Sequence, residues 1–362
     1  MRWQAVAKVA KRPSSDCDEH VGNPTIYDVA RVAGVATSTV SRVFSKPGRI
    51  ADATRDRVLQ AARELGYEPN PHARALTSNR THTIAMVVSD ITNPHFFELI
   101  RGAEMRAKAA AYTLVLVNAE ESTRMELEQV RRLTRSVDGF LLAASRQPDE
   151  KLVELAAAHP VVLINRQVED IASVVLEPWE GCRQIVAHLA SLGHTSLVYL
   201  AGPTNSWMAA SRWAGLRDAA AEVGMSALRT GPYTPTVESG GAAADAAIRT
   251  GATAIVAHND LLAIGVLRRL ADRSVRVPAD VSVVGFDDIF AADLCTPSLT
   301  TLGGAHANVG RGAVEILLES LGHPRGNRPT PQIVLPSQLV LRASTGPRVD
   351  PGASRQHTRR SE

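Results

Sequence analysis

The chain has 362 residues, 44% of them hydrophobic, which exceeds one ordinary domain and is enough to fill real cores. Its net charge of +3 is unevenly spread: residues 1–80 hold 13 Lys and Arg against 8 Asp and Glu, and the remainder 27 against 29, so the basic end is where a polyanion binds. Cys17, Cys182 and Cys295 are far apart without CxxC or His spacing, which argues against a zinc site or a disulfide framework; no apolar run reaches the roughly 18 residues that cross a bilayer, and the start lacks a secretory apolar stretch, so a reduced, cytoplasmic setting is expected.

Residues 1–24 mix charge, Ser, Pro and Gly without an apolar period and read as a disordered, weakly basic arm. From Thr25 to about Gly66 the apolar spacing predicts three short helices. The first two form a helix, a turn at Gly34 and a second helix, with small Ala30 and Ala33 where the two must cross closely. Thr37, Ser38, Ser41 and Arg42 make a polar face on the second helix. Hydroxyls and a guanidinium so placed suit base edges and phosphates in a major groove; an ordinary solvated face is the bland alternative. In residues 70–81, Asn70 can cap a helix, Pro71 fits its first turn and Leu76 ends it. A helix this short forms only when something packs against it. A paired copy and a DNA minor groove would do so, with Leu76 as a wedge; a linker whose Leu76 caps a core is the other reading.

Beyond Asn79, apolar runs of about five residues alternate with amphipathic helices, the pattern of parallel βαβ units. Strands are predicted at 84–88, 114–117, 140–143, 161–164, 198–201, 254–257 and 281–285, and a break near 173–180 divides two lobes. Polar residues recur after these strands: Ser89 and Asp90, Asn165 and Arg166, Asn259 and Asp260, Asp287 and Asp288. That is where ligands bind in open α/β sheets. Asp260 reads as a helix cap, Asp288 as structural, and Asn259 either orders its loop or faces a ligand. Only 4% of residues are aromatic, which makes Phe96 and Trp207 near the expected cleft candidates for stacking on a sugar ring, whereas Trp213 reads as helix core. His258 and His306 read as structural histidines.

The segments TIYDVARVAGVATSTVSRV, ELGYEPNPHARAL and TIAMVVSDITNPHFFELIRG, followed by VAHNDLLAIGVL and VSVVGFDDI, resemble the LacI/GalR family of bacterial repressors, from about Thr25 to Ser344. The resemblance implies an N-terminal all-α helix-turn-helix domain (25–69), a hinge helix and linker (70–81), a periplasmic-binding-protein-like α/β core of two lobes with parallel sheets (82–344) and a flexible tail (345–362). The chain is expected to recross between lobes near 300–306 and 330. It further implies that Thr37 and Ser38 read bases, that Tyr27, Arg42 and Arg49 lie close to phosphates or bases, and that Asn70, Ala73 and Leu76 belong to the DNA-contacting hinge. In the core it places Asn165 facing the ligand and Arg212 gripping it; Asn259 and Asp287 at strand ends, and the aromatics Phe96 and Trp207, the latter with surface packing as its other reading, complete the expected effector site. Two departures stand out. The family usually carries Ser where this chain has Ala36 and Ala51, so the DNA-binding unit is expected to be less stable than its relatives unless Thr37 and Asp52 take over the capping.

The expected partners are therefore double-stranded operator DNA, a sugar-like small molecule and a second copy of the chain, with no membrane, metal or cofactor. A homodimer is expected because ASTGPRVDPGASRQHTRRSE carries no heptad stripe, and release of DNA by an inducer is the expected sign. A sugar-binding receptor of the periplasmic type shares the two lobes but predicts a signal segment and no helix-turn-helix. An enzyme is not expected: GxGxxG after a first strand, GxxxxGK[ST] and a GxSxG elbow are all missing.

Overall fold

In the computed structural model, which describes residues 24–45, 47–67, 80–322 and 329–348, the chain divides into two units, Met1–Asn79 and Arg80–Glu362. Residues 1–23 of the arm, the hinge residues Asn70, Ala73 and Leu76, and the tail beyond 348 lie outside the described residues.

The first unit consists of α1 (Ile26–Ala33), α2 (Thr37–Ser45), a 3-10 turn (Pro47–Arg49) and α3 (Asp52–Leu65). Asp28 opens α1 by accepting from the Thr25 backbone N–H at 3.0 Å and its hydroxyl at 2.7 Å, which occupies groups the first turn leaves unpaired. Gly34 and Gly66 end α1 and α3 in the left-handed region, at φ 62° and 64°, where a glycine carries no steric penalty. Between these stops, Val29, Ala30, Val40, Val43, Val58 and Ala62 close one small core. The alanines let α1 approach its neighbours closely, as the sequence predicts. At α3 the N-cap is Ala51, with no side-chain hydrogen bond to the helix. Asp52 does not take over that role: its carboxylate pairs with Arg55 at 2.7 Å.

The second unit has two lobes built to one plan. The first carries β1 (Thr83–Val88), α4 (His95–Ala109), β2 (Thr113–Asn118), α5 (Thr123–Leu133), β3 (Gly139–Ala143), α6 (Asp149–Ala158), β4 (Val161–Ile164) and β5 (Ala172–Leu176). The second carries α7 (Pro178–Ser191), β6 (Ser196–Leu200), α8 (Trp207–Glu222), β7 (Ser226–Thr230), α9 (Gly240–Arg249), β8 (Ala254–Ala257), α10 (Asp260–Asp272), β9 (Ser282–Phe286), α11 (Ala291–Leu294) and β10 (Thr300–Gly304). Then α12 (His306–Gly322) and β11 (Gln332–Leu335) return to the first lobe, and β12 (Ser337–Val340) to the second. The strand orders are β11-β5-β4-β3-β1-β2 and β12-β10-β9-β8-β6-β7. Every pairing is parallel except β10 with β12. Each lobe therefore reverses strand order beside its first strand, and crevices at such reversals take ligands.

The chain passes between lobes at Glu177, at Ala305 and at Pro336; the last lies a few residues past the 330 expected from sequence. Five strands escaped the sequence reading: β5, β7, β10, β11 and β12. β7 and β11 are edge strands with mostly exposed side chains and β10 is TTLGG, so these three lack the apolar run that marked the others, whereas β5 (ASVVL) is fully buried and overlaps the segment read as the break between lobes. Within the first lobe, α4 and α12 touch backbone to backbone. A β-carbon at Gly102 would lie 2.0 Å from Ala307 O, and one at Gly310 would lie 2.0 Å from Leu99 O.

Candidate functional site

On the first unit, α2 carries its polar residues opposite its core. Val40 and Val43 are buried while Ser38 and Arg42 are exposed and Thr37 and Ser41 half-exposed, because positions i, i+1, i+4 and i+5 share one side of a helix. Tyr27 is 72% exposed on α1, and Arg49 is exposed on the 3-10 turn. An aromatic this open has no packing role in its own core.

On the second unit, strand ends from both lobes converge on one cleft. Asn165 follows β4, and its Nδ2 donates to His95 Nε2 at the start of α4 at 3.1 Å. From the second lobe, Arg212 on α8 donates from Nη2 to Asp287 Oδ1 at 2.8 Å and from Nη1 to the His258 carbonyl at 2.5 Å. Its guanidinium lies 4.3 Å over the Phe286 ring. Asp287 and Arg212 are 6% and 7% exposed, so this ion pair is shielded from water and strengthened accordingly. His306 Nε2 lies 2.9 Å from the Asp287 carbonyl oxygen, and its ring packs edge-on to His95, centroids 4.6 Å apart.

Four buried polar atoms in this cleft have no hydrogen-bond partner: His95 Nδ1, Asn165 Oδ1, Arg212 Nε and His306 Nδ1. Unpaired buried polar atoms each cost about 1–3 kcal/mol, so four gathered on residues that line one crevice make it a candidate binding site. The backbone carries a second signature. Glu121, Ala144, Asn165 and Asp287, which line this crevice, hold φ between 53° and 106°. Non-glycine residues in that region are strained by roughly 1–2 kcal/mol each, and such strain gathers where geometry serves function. The free space is small: two cavities of about 20 and 40 Å3, room for a water or two.

The electrostatics follow from burial. His95 is pulled down to about 4, burial outweighing the attraction of Asp287. Burial, reinforced by Arg212, holds His258 well below its usual value, and burial also lowers His306. For Asp287 burial opposes ionisation, yet His95 and Arg212 keep its pKa below the usual carboxylate value. At neutral pH, where His95 is uncharged, Arg212 is the cation in contact with it. Asp260 is pushed well above the usual value by burial and by neighbouring Asp287.

Phe96, Asn165, Arg212, Asn259 and Asp287 line the cleft. Trp207 does not appear in that lining: it is half-buried at the first position of α8, and the next residue, Met208, faces the cleft instead. Asn259 is largely committed elsewhere, accepting from Leu262 N at 3.0 Å as the cap of α10 and donating to Pro235 O at 3.1 Å. Asp260 is not the cap; its oxygens accept from the Thr301 hydroxyl at 2.6 Å and from Ile289 N at 2.9 Å. Asp288 accepts from Arg342 at 2.7 Å, a structural bond as expected. Trp213 packs against the core and stacks on Tyr199. The sequence reading missed His95, Arg146 and Glu121. The signal for Arg146 was present, since it follows β3 by three residues just as the other polar candidates follow their strands.

The chain matches two family descriptions. The description "Bacterial regulatory proteins, lacI family" matches residues 25–70, and "Periplasmic binding protein-like domain" matches residues 186–345. The HTH-type transcriptional regulator DegA of Bacillus subtilis (strain 168) is 34% identical over 336 residues, covering 89% of this chain and 98% of its own. The crystal structure of the lac repressor dimer bound to operator and the anti-inducer ONPF superimposes with a TM-score of 0.79 at 27% identity, covering 90% of this chain and all of that one. The transcriptional regulator CelR–cellobiose complex matches with a TM-score of 0.66 at 28% identity, covering 89% and 99%. The chain belongs to the lacI family of bacterial regulatory proteins, and it is a DNA-binding transcriptional regulator with an effector-binding core.

Proposed function

We propose that this regulator is a repressor that binds a near-palindromic operator as a homodimer and answers to a small molecule, a sugar or related metabolite, held between the lobes of residues 82–344. The observation that carries the effector half is the set of four unpartnered buried atoms on His95, Asn165, Arg212 and His306. Donors, acceptors and a guanidinium in a mostly dry crevice suit a polyhydroxylated ligand. The lac repressor structure contains operator and an anti-inducer, and the CelR structure cellobiose; both support the same assignment here. Phe96, Asn165, Arg212 and Asp287 are the effector contacts, with Asn259 ordering its loop and Met208 taking the place expected of Trp207.

For DNA, Thr37, Ser38, Ser41 and Arg42 read the major groove, Tyr27 and Arg49 hold the backbone, and residues 70–81, including Asn70, Ala73 and Leu76, form the hinge. The protein works in the cytoplasm, and binding rather than catalysis is its task. A periplasmic-type receptor would leave the exposed face of α2 without a role. Titrating the full chain into a duplex from its own upstream region, with and without carbohydrates that raise its melting temperature, tests the proposal. A ligand at 100 times its dissociation constant adds about 2.7 kcal/mol. Operator affinity that falls on adding such a ligand supports the reading, and affinity that ignores every stabilising ligand contradicts it.

A further inference from the structure

The first lobe presents to the same cleft an ion pair that the effector assignment above leaves unused. Arg146, three residues past β3, is 6% exposed, and its Nε and Nη2 donate to the two oxygens of Glu121 at 2.6 and 3.0 Å. Glu121 follows β2 on a turn where it and Glu120 both hold left-handed φ, 54° and 53°. Its N–H donates to Ser89 O at 2.6 Å, which ties the turn to the end of β1. Both side chains line the cavity shared with Asn165, Arg212 and Asp287. The pair thus faces the second lobe's Arg212–Asp287 pair across the crevice. A bidentate fork leaves each carboxylate oxygen a further lone pair and leaves Arg146 Nη1 to donate. An acceptor and a donor held side by side match two neighbouring hydroxyls on a ring.

The charge balance narrows the ligand. Each arginine in the cleft already has its carboxylate, and Glu177 also lines it. Among the described residues that line the cleft, no cation is left over for a phosphate or carboxylate, and an unmatched buried charge is expensive.

We propose that Glu121 and Arg146 form a second ligand-gripping subsite, on the first lobe, which takes two adjacent uncharged hydroxyls and turns away an anionic substituent. This rests on reading the cleft as the effector site. Isothermal titration of the full chain with uncharged mono- and disaccharides and polyols, alongside their phosphates and uronic acids, tests it. An uncharged member binds, and its charged counterpart binds more weakly. The double variant Glu121→Gln/Arg146→Gln, which leaves no unpaired charge, weakens that binding by at least about tenfold, the worth of one charge-assisted hydrogen bond, while the unliganded melting temperature stays within a few degrees. Arg146→Lys, which keeps the charge but loses the fork, weakens it similarly. Tighter binding of a phosphate or acid, or undiminished binding by both variants while Arg212→Gln abolishes it, overturns the subsite and leaves the cleft reading standing. Failure of every carbohydrate to bind overturns both.

Discussion

His95 of the first lobe and Asp287 of the second meet across the cleft, Nδ1 to Oδ1, at 3.5 Å without a hydrogen bond between them. Asp287 spends that oxygen on Arg212 instead. The approach is therefore close but unfinished. A ligand hydroxyl that bridges the two atoms completes both, while the His306 Nε2 to Asp287 carbonyl contact at 2.9 Å still spans the lobes.

Asp287→Asn removes the carboxylate that neutralises Arg212 in a site where both are buried. Taking one partner from a buried ion pair destabilises by about 3–5 kcal/mol, and the retained amide oxygen places this variant at the lower end. Urea denaturation of the core reads it. A variant as stable as the parent would show that water, not Asp287, satisfies the guanidinium.

Stability rises with pH between about 4 and 6.5. The unfolded chain protonates His95 near 6.5, while the folded chain resists until about 4, so the folded state binds fewer protons across that window and loses ground as pH falls through it. The lowered pKa values of His258 and His306 act in the same sense, and the raised value of Asp260 acts in the opposite one. His95→Gln should flatten the slope by up to about 1.4 kcal/mol per pH unit. Denaturation midpoints at pH 5, 6 and 7 with the same slope in both proteins would contradict the assignment.

Gly310→Ala forces a β-carbon against Leu99 O at the crossing of α4 and α12. Overpacking of this kind costs about 1–3 kcal/mol, and backbone on one side leaves no flexible side chain to yield, so the loss falls at the upper end. A melting temperature unchanged from the parent would mean that the two helices slide apart freely.

The βαβ rhythm was plain in the sequence because fully buried strands such as β3 and β4 are unbroken apolar runs. Edge strands such as β7 were not, since one side of an edge needs no apolar residues. Strand-end polarity located the cleft, and it found Asn165 and Asp287. It could not say which residue of a first helical turn looks inward, because one step along a helix turns the side chain by about 100°; hence Trp207 was expected where Met208 stands. His95 was hidden because its role depends on Asp287 and His306, each about 200 residues away. Glu121 and Arg146 each follow a strand, but their pairing joins two different loops and leaves no local pattern in the sequence.

Ala51→Ser supplies the hydroxyl that α3 lacks at its N-cap. It stabilises the first unit by about 0.5–1 kcal/mol, without touching the core. Thermal melts followed by circular dichroism of the full chain show this as an upward shift of the helical unit's transition alone. No shift would mean that water already caps α3 as well as a serine does.

The measurement closest to the central claim is fluorescence anisotropy of the full chain on a labelled duplex from its own upstream region, against a scrambled duplex, as a stabilising carbohydrate is added. The account predicts specific binding in the range of about 10⁻⁸ M or tighter, weakening as salt rises, and release from the specific duplex as the carbohydrate saturates the cleft. Equal affinity for both duplexes, or a specific complex indifferent to every ligand that stabilises the core, would contradict it.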